Sequence, residues 1–276
     1  SASKQVSLFI RHNGQEWVAV NPREKLPLAS TVKIIIAIEY ARQAAEGIID
    51  PEHQVKISKL NTFYIKKTDG GAHEAWLKQF PNKDSVTIRE IAEGMIAFSS
   101  NANTDYLIHL LGIENINNLL KDLSLTSHDP LYPFVSALYI PVHLMEVEHL
   151  TKSEVLTKLR SMDSAEYRRL ALDIHHQWLD NPLTDQDKHL AIRYSDMEFQ
   201  QIWSDRLPAA STEDYVSLLS KLNSKTYFDE RIHHYLDPVM EQLMQHQKNR
   251  ESFVHAGRKG GSTAFVLTNA IYATDH

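Results

Sequence analysis

A chain of 276 residues, 42% hydrophobic and 23% charged, is long enough for one large domain or two lobes around a shared core, and this balance excludes disordered and fibrous classes. A formal charge of −6, without any long basic run, leaves no footprint for nucleic acid or an anionic membrane and points to small-molecule or peptide partners. The absence of cysteine excludes disulfides, thiolate metal sites and cysteine nucleophiles.

The chain opens as a hairpin: Val6 to Ile10 is β-prone, His12-Asn-Gly14 offers a turn, and Trp17 to Val20 resumes the strand before Asn21-Pro22 ends it. From Ser30 to about Glu46 a helix is predicted, closed by Gly47 and apolar nearly all round, hence central and buried. Its longest apolar run, Ile34 to Ile38, is far short of the ~20 residues that span a bilayer, so no membrane span is expected. No N-terminal signal is visible, which fits either a cytoplasmic protein or a secreted or periplasmic one whose leader was trimmed.

From Asp50 to Gln245 the pattern is helical, with amphipathic stretches at Ile88 to Phe98, Asn103 to Leu111, Glu114 to Leu123, Ser164 to Leu179, Thr212 to Leu222 and Glu230 to Leu243. Strand character returns at Ser252 to Gly257, a turn is predicted at Arg258-Lys-Gly-Gly261, and a second strand runs from Ser262 to Ala273. The expected fold class is therefore α+β: one antiparallel sheet formed by both chain ends, flanked by helices, with a large all-helical subdomain. Residues 1–48 with 246–276 form the expected α/β lobe and 49–245 the helical lobe, with the active site between them.

Three short motifs carry the chemistry. In Ser30-Thr-Val-Lys33, positions i and i+3 share a helix face, which places a nucleophile beside a base. A serine attacks only if the lysine amine is neutral, and the apolar flanks of Lys33 favour that form. The helix start also aims backbone N–H groups at an oxyanion. Ser1 and Lys4 repeat the spacing at the chain terminus without a helix and carry no weight.

In Ser99-Ser-Asn101, between two helices, Ser99 is a candidate to pass a proton from Lys33 to a leaving amine, and the Asn101 amide to hold Lys33 and a substrate carbonyl. In His255-Ala-Gly257, His255 suits a substrate carboxylate and Gly257 a close approach. The Arg258 N–H is the candidate second oxyanion donor. Lys259-Gly-Gly261 competes for the same role and ranks second because it falls in the predicted turn.

The ordered set resembles the serine β-lactamase and penicillin-binding protein superfamily, whose signature is Ser-x-x-Lys, then Ser-x-Asn, then Lys-Thr-Gly or a variant with His first. Pro27-Leu-Ala-Ser-Thr-Val-Lys33 and Phe98-Ser-Ser-Asn-Ala-Asn-Thr-Asp105 look most like class A β-lactamases. The resemblance spans the hairpin, the helix after Ser30, about Thr87 to Leu123, and Leu207 onward. It implies a β-lactamase/transpeptidase-like fold, no cofactor, a β-lactam or peptide substrate, and an acyl-enzyme on Ser30. A D-Ala-D-Ala peptidase, an esterase and a penicillin sensor that stays acylated are the alternatives.

Class A enzymes release the acyl group with a glutamate in an Ω-shaped loop. In the corresponding Ser127-His-Asp-Pro-Leu-Tyr-Pro-Phe134, Tyr132 stands where that glutamate is expected, with His128 and Asp129 nearby, so Tyr132 is the candidate substitute base. The segment 142–206 is longer than the family pattern requires. After Ala273 the family usually adds a strand and a helix, so the chain is either trimmed or its sheet is completed in another way, such as by a partner chain; oligomeric state is left open. Adjacent histidines at His175-His176 and His233-His234 diverge on a helix, and no metal is expected.

Overall fold

The computed structural model describes residues 5–193 and 196–276, so the Ser1 to Lys4 repeat lies outside the described residues. The strands are β1 (Leu8–His12), β2 (Gln15–Val20), β3 (Leu26–Pro27), β4 (Gln54–Lys56), β5 (Ser85–Thr87), β6 (Ala209–Ala210), β7 (Phe253–Ser262) and β8 (Leu267–Asp275). The helices are α1 (Lys33–Ala45), α2 (Ile57–Leu60), α3 (Ala72–Leu77), α4 (Ile88–Ala97), α5 (Asn101–Leu111), α6 (Ile113–Asp122) and α7 (Phe134–Val147). They continue as α8 (Lys152–Ser161), α9 (Ser164–Asp180), α10 (Asp185–Arg193), α11 (Met197–Arg206), α12 (Thr212–Ser224), α13 (Glu230–Met240) and α14 (Gln247–Ser252).

Helix α1 is the hub. Ile34, Ile35, Ile36, Ala37 and Ile38 are all buried, as expected of a helix apolar on every side, and α4, α5, α6 and α13 pack around it. Gly47 takes φ +71° just past its end, the left-handed cap that glycine supplies without a Cβ clash.

Both chain ends form antiparallel hairpins, and the architecture is α+β as expected, but they do not join in one sheet. β1 pairs only with β2, and β7 only with β8, among the described residues; both hairpins lie against α12 instead. The expected turn at Arg258 to Gly261 is strand. β7 runs unbroken to Ser262, and the chain reverses at Thr263 to Val266, where Thr263 Oγ1 accepts the N–H groups of Phe265 and Val266 at 3.0 Å each.

Helix α7 was not legible, because an apolar segment with an internal Pro141 reads as a break. The proline leaves the Ala137 carbonyl without its helical donor. The Tyr167 hydroxyl of α9 supplies one at 3.1 Å, and α7 stays helical. No helix among the described residues is long and apolar enough to cross a membrane.

Candidate active site

Ser30 lies in a 3₁₀ turn, Ala29–Val32, that leads into α1, and the Lys33 N–H donates back to the Ser30 carbonyl. In so tight a turn, side chains at i and i+3 stack on one face. The turn is held from outside: Thr31 and Thr268 both donate their hydroxyls to the Leu28 carbonyl, at 2.6 and 2.8 Å. Ala29 takes φ +46°, a left-handed conformation that costs a non-glycine residue about 1–2 kcal/mol and persists because the surrounding contacts fix it. The half-buried Ser30 hydroxyl makes no hydrogen bond among the described residues.

The Lys33 amine is fully buried and donates to the Ser99 carbonyl at 2.7 Å, to Asn101 Oδ1 at 2.8 Å and to Ser99 Oγ at 3.3 Å. Burial, followed by the Lys259 ammonium, holds its pKa well below the usual lysine range, against the pull of Asp69 and Asp105. Ser99, at φ +69°, links α4 to α5, and Ser100 caps α5 by accepting the Asn103 N–H. Lys259 reaches the same hydroxyl from β7: its Nζ lies 3.0 Å from Ser99 Oγ and 2.9 Å from the Gly260 carbonyl. Burial pushes its pKa down to about 8, with Arg258 adding to the effect. Two lysines thus converge on one serine hydroxyl.

β7 runs against the turn that holds Ser30. A Cβ added to Gly261 would fall 2.4 Å from the Ser30 backbone nitrogen, so only glycine fits there. The Thr263 N–H donates toward β8, to Val266, so strand alternation turns the Ser262 N–H to the free edge of β7, abreast of Ser30. Ser30 and Ser262 are therefore the amides placed to receive an oxyanion.

The structure brings Lys33, Ser99, Asn101 and Lys259 together and places the other expected residues elsewhere. Arg258 stands three residues before Gly261, about 10 Å along the strand, so its N–H is too far from Ser30 to share an oxyanion. His255 sits about 20 Å from Gly261 at the far end of β7. Its Nε2 lies 3.0 Å from both the carbonyl and side-chain oxygens of Asn223. Gly257 is glycine because a Cβ would fall 2.4 Å from the Tyr272 ring, not because substrate passes it.

Tyr132 is buried in the core with its ring edge-on to Tyr167, and its hydroxyl donates to the Arg206 carbonyl. Burial holds its pKa well above the usual tyrosine range, which removes it as a base. The ring of Phe134 lies over Lys33 instead, with its centroid 5.7 Å from Nζ. Asp105 caps α7 by accepting the Phe134 and Val135 N–H groups at 2.8 Å each; burial raises its pKa to about 7. Ser262, Phe134 and Asp105 were missed as site residues in the sequence, and Gly261 entered only through the second-ranked Lys259-Gly-Gly261 motif. The paired glycines after Lys259 were the available signal.

Among the described residues no group of three or more metal-ligating side chains converges. His175 stacks on Phe63 in the core, and His233 Nδ1 lies 3.0 Å from Asp237.

Hairpins from both chain ends around a helical body, with Ser30 in the turn that leads into α1 and two lysines converging on Ser99 beside it, define the β-lactamase/transpeptidase-like α+β class. The sequence profile described as the Beta-lactamase enzyme family matches residues 1–261, and the chain belongs to that family. No curated protein matches it. Among solved structures it is similar to a β-lactamase from Chitinophaga pinensis DSM 2588, at TM-score 0.56 and 14% identity over 95% of this chain and 76% of that one. A representative class A β-lactamase from Bacteroides cellulosilyticus DSM 14838 gives 0.55 and 14%, over 96% and 76%. A substituted PBP-A, described as an acyl-enzyme complex with penicillin G, gives 0.52 and 15%, over 94% and 71%.

Proposed function

We propose that Ser30 is acylated by a β-lactam or a related amide, and that the acyl-enzyme is then released slowly. The observation that carries the first half is the Lys33 amine: fully buried, lowered in pKa, and donating to Ser99 and Asn101 beside Lys259. A neutral Lys33 takes the Ser30 proton as Oγ bonds to the substrate carbonyl carbon. The oxyanion lies between the Ser30 and Ser262 N–H groups. As the carbon–nitrogen bond breaks, Ser99 Oγ–H protonates the leaving nitrogen and is reprotonated by the Lys33 ammonium. Lys259 supplies the positive charge that steadies Ser99 and attracts an anionic substrate.

The second half rests on Phe134. Release requires a base to activate water, and the surface of Lys33 facing α7 is covered by an aromatic ring, while Tyr132 is spent on Arg206. Phe134→Glu is accordingly expected to shorten the adduct's lifetime by about tenfold or more, read by intact mass, since a placed general base contributes about 10²–10⁴-fold.

Incubation with a chromogenic cephalosporin, following colour and intact mass together, tests the proposal. One burst of colour with a lasting single adduct is the expected result. Sustained colour without adduct means efficient turnover and removes the slow-release half; no adduct and no colour removes acylation by this class and favours an esterase.

A further inference from the structure

The left-handed Ser99 is strained, and a strained junction keeps its shape only if its neighbours hold it. Two ties outside the reacting residues do so. The first is the Asp69 carboxylate, just ahead of α3. One of its oxygens accepts the Asn101 backbone N–H at 3.3 Å and the His73 N–H at 3.1 Å; the other accepts Gly71 and Ala72 at 3.2 and 3.0 Å. The second is the buried His73 ring, whose Nδ1 lies 2.8 Å from Ser100 Oγ. Ser100 Oγ already accepts the Asn103 N–H, so its own proton is available to His73.

We infer that Asp69 is a positioning residue of the Ser30 site: it staples the start of α5 to the start of α3 and, through Asn101, holds the acceptors that seat the Lys33 amine. This rests on the reading of Ser30 and Lys33 given above. The charge of Asp69 also reaches the amine, where it opposes the effects of burial and of Lys259. The groups that face or act on Lys33 are Ser99 and Asn101 from the junction, Lys259 from β7, Phe134 from α7, Asp105 from α5 and Asp69 from the loop before α3. Of the two anions, Asp105 is occupied in capping α7, which leaves Asp69 as the one tied to the junction.

Titration of ¹³C-lysine-labelled protein by NMR, with the Lys33 signal assigned by Lys33→Arg, tests this without any substrate. Asp69→Asn is expected to lower the Lys33 midpoint by about one pH unit, because it removes a nearby opposite charge. Acylation by a chromogenic cephalosporin is expected to slow about ten- to a hundredfold, with its acid limb displaced in the same direction. Glu74→Gln, on α3 but not among the charges that act on Lys33, is expected to move neither. Asp69→Ser, which keeps a capping oxygen for α3, serves the same test if Asp69→Asn does not fold. An unmoved Lys33 midpoint in a folded Asp69 variant overturns the inference. A moved midpoint in a protein that no β-lactam acylates keeps the positioning role and removes the acyl-enzyme reading instead.

Discussion

Strand β7 carries Gly257 toward one end and Gly261 toward the other, each packed so closely that a Cβ would fall 2.4 Å from a neighbour. At the first end the neighbour is the Tyr272 ring and the nearby His255 is tied to Asn223. At the second it is the Ser30 amide, and Lys259 reaches Ser99. The same residue type thus serves hairpin packing in one place and the approach of a strand to the Ser30 backbone in the other. What separates them is which element lies opposite, a tertiary fact that the local sequence does not carry.

Substitutions at the two ends sharpen this contrast. The largest effect is expected from Lys33→Ala, the amine on which the second end converges: acylation of Ser30 should fall about 10³–10⁴-fold, measured as the rate of adduct formation. Gly261→Ala forces β7 away from the Ser30 amide and should slow acylation about a hundredfold with the fold retained by circular dichroism. Lys259→Ala should cost about the same. In the wild type, acylation rises with pH as Lys33 loses its proton and falls again through about 8 as Lys259 loses its own. Lys259→Arg should carry that alkaline limb upward, since an arginine stays charged. The smallest effect is expected at the first end, where His255→Ala should leave acylation within about twofold while lowering stability by about 1 kcal/mol in a denaturant melt. A large loss of acylation there breaks the contrast.

Much of the second end's partner set was legible before the fold. Ser30 and Lys33 stand out because a lysine amid isoleucines is costly unless it is used, and Ser99 and Asn101 because a polar triplet separates two amphipathic helices. The register of β7 was not legible: Arg258-Lys-Gly-Gly261 has the local chemistry of a turn, and the pressure for Gly261 comes from Ser30, over two hundred residues away in sequence. Tyr132 failed for a related reason. Its place relative to the second motif suggested a base, but a tyrosine surrounded by Tyr167 and Arg206 is a core residue whose hydroxyl has found its acceptor. Helix α7 was hidden by Pro141, whose cost is offset by a hydroxyl from another helix. The single sheet expected of the chain ends rested on strands lying at both ends of a helical middle, and position along the chain does not say which edges meet.

The most direct test of the account is to treat wild-type protein and Ser30→Ala with the same β-lactam, digest both, and locate the adduct by peptide mass mapping. The account predicts one lasting adduct on the peptide containing Ser30 in the wild type and none in Ser30→Ala. An adduct on another residue, or undiminished labelling of Ser30→Ala, contradicts it.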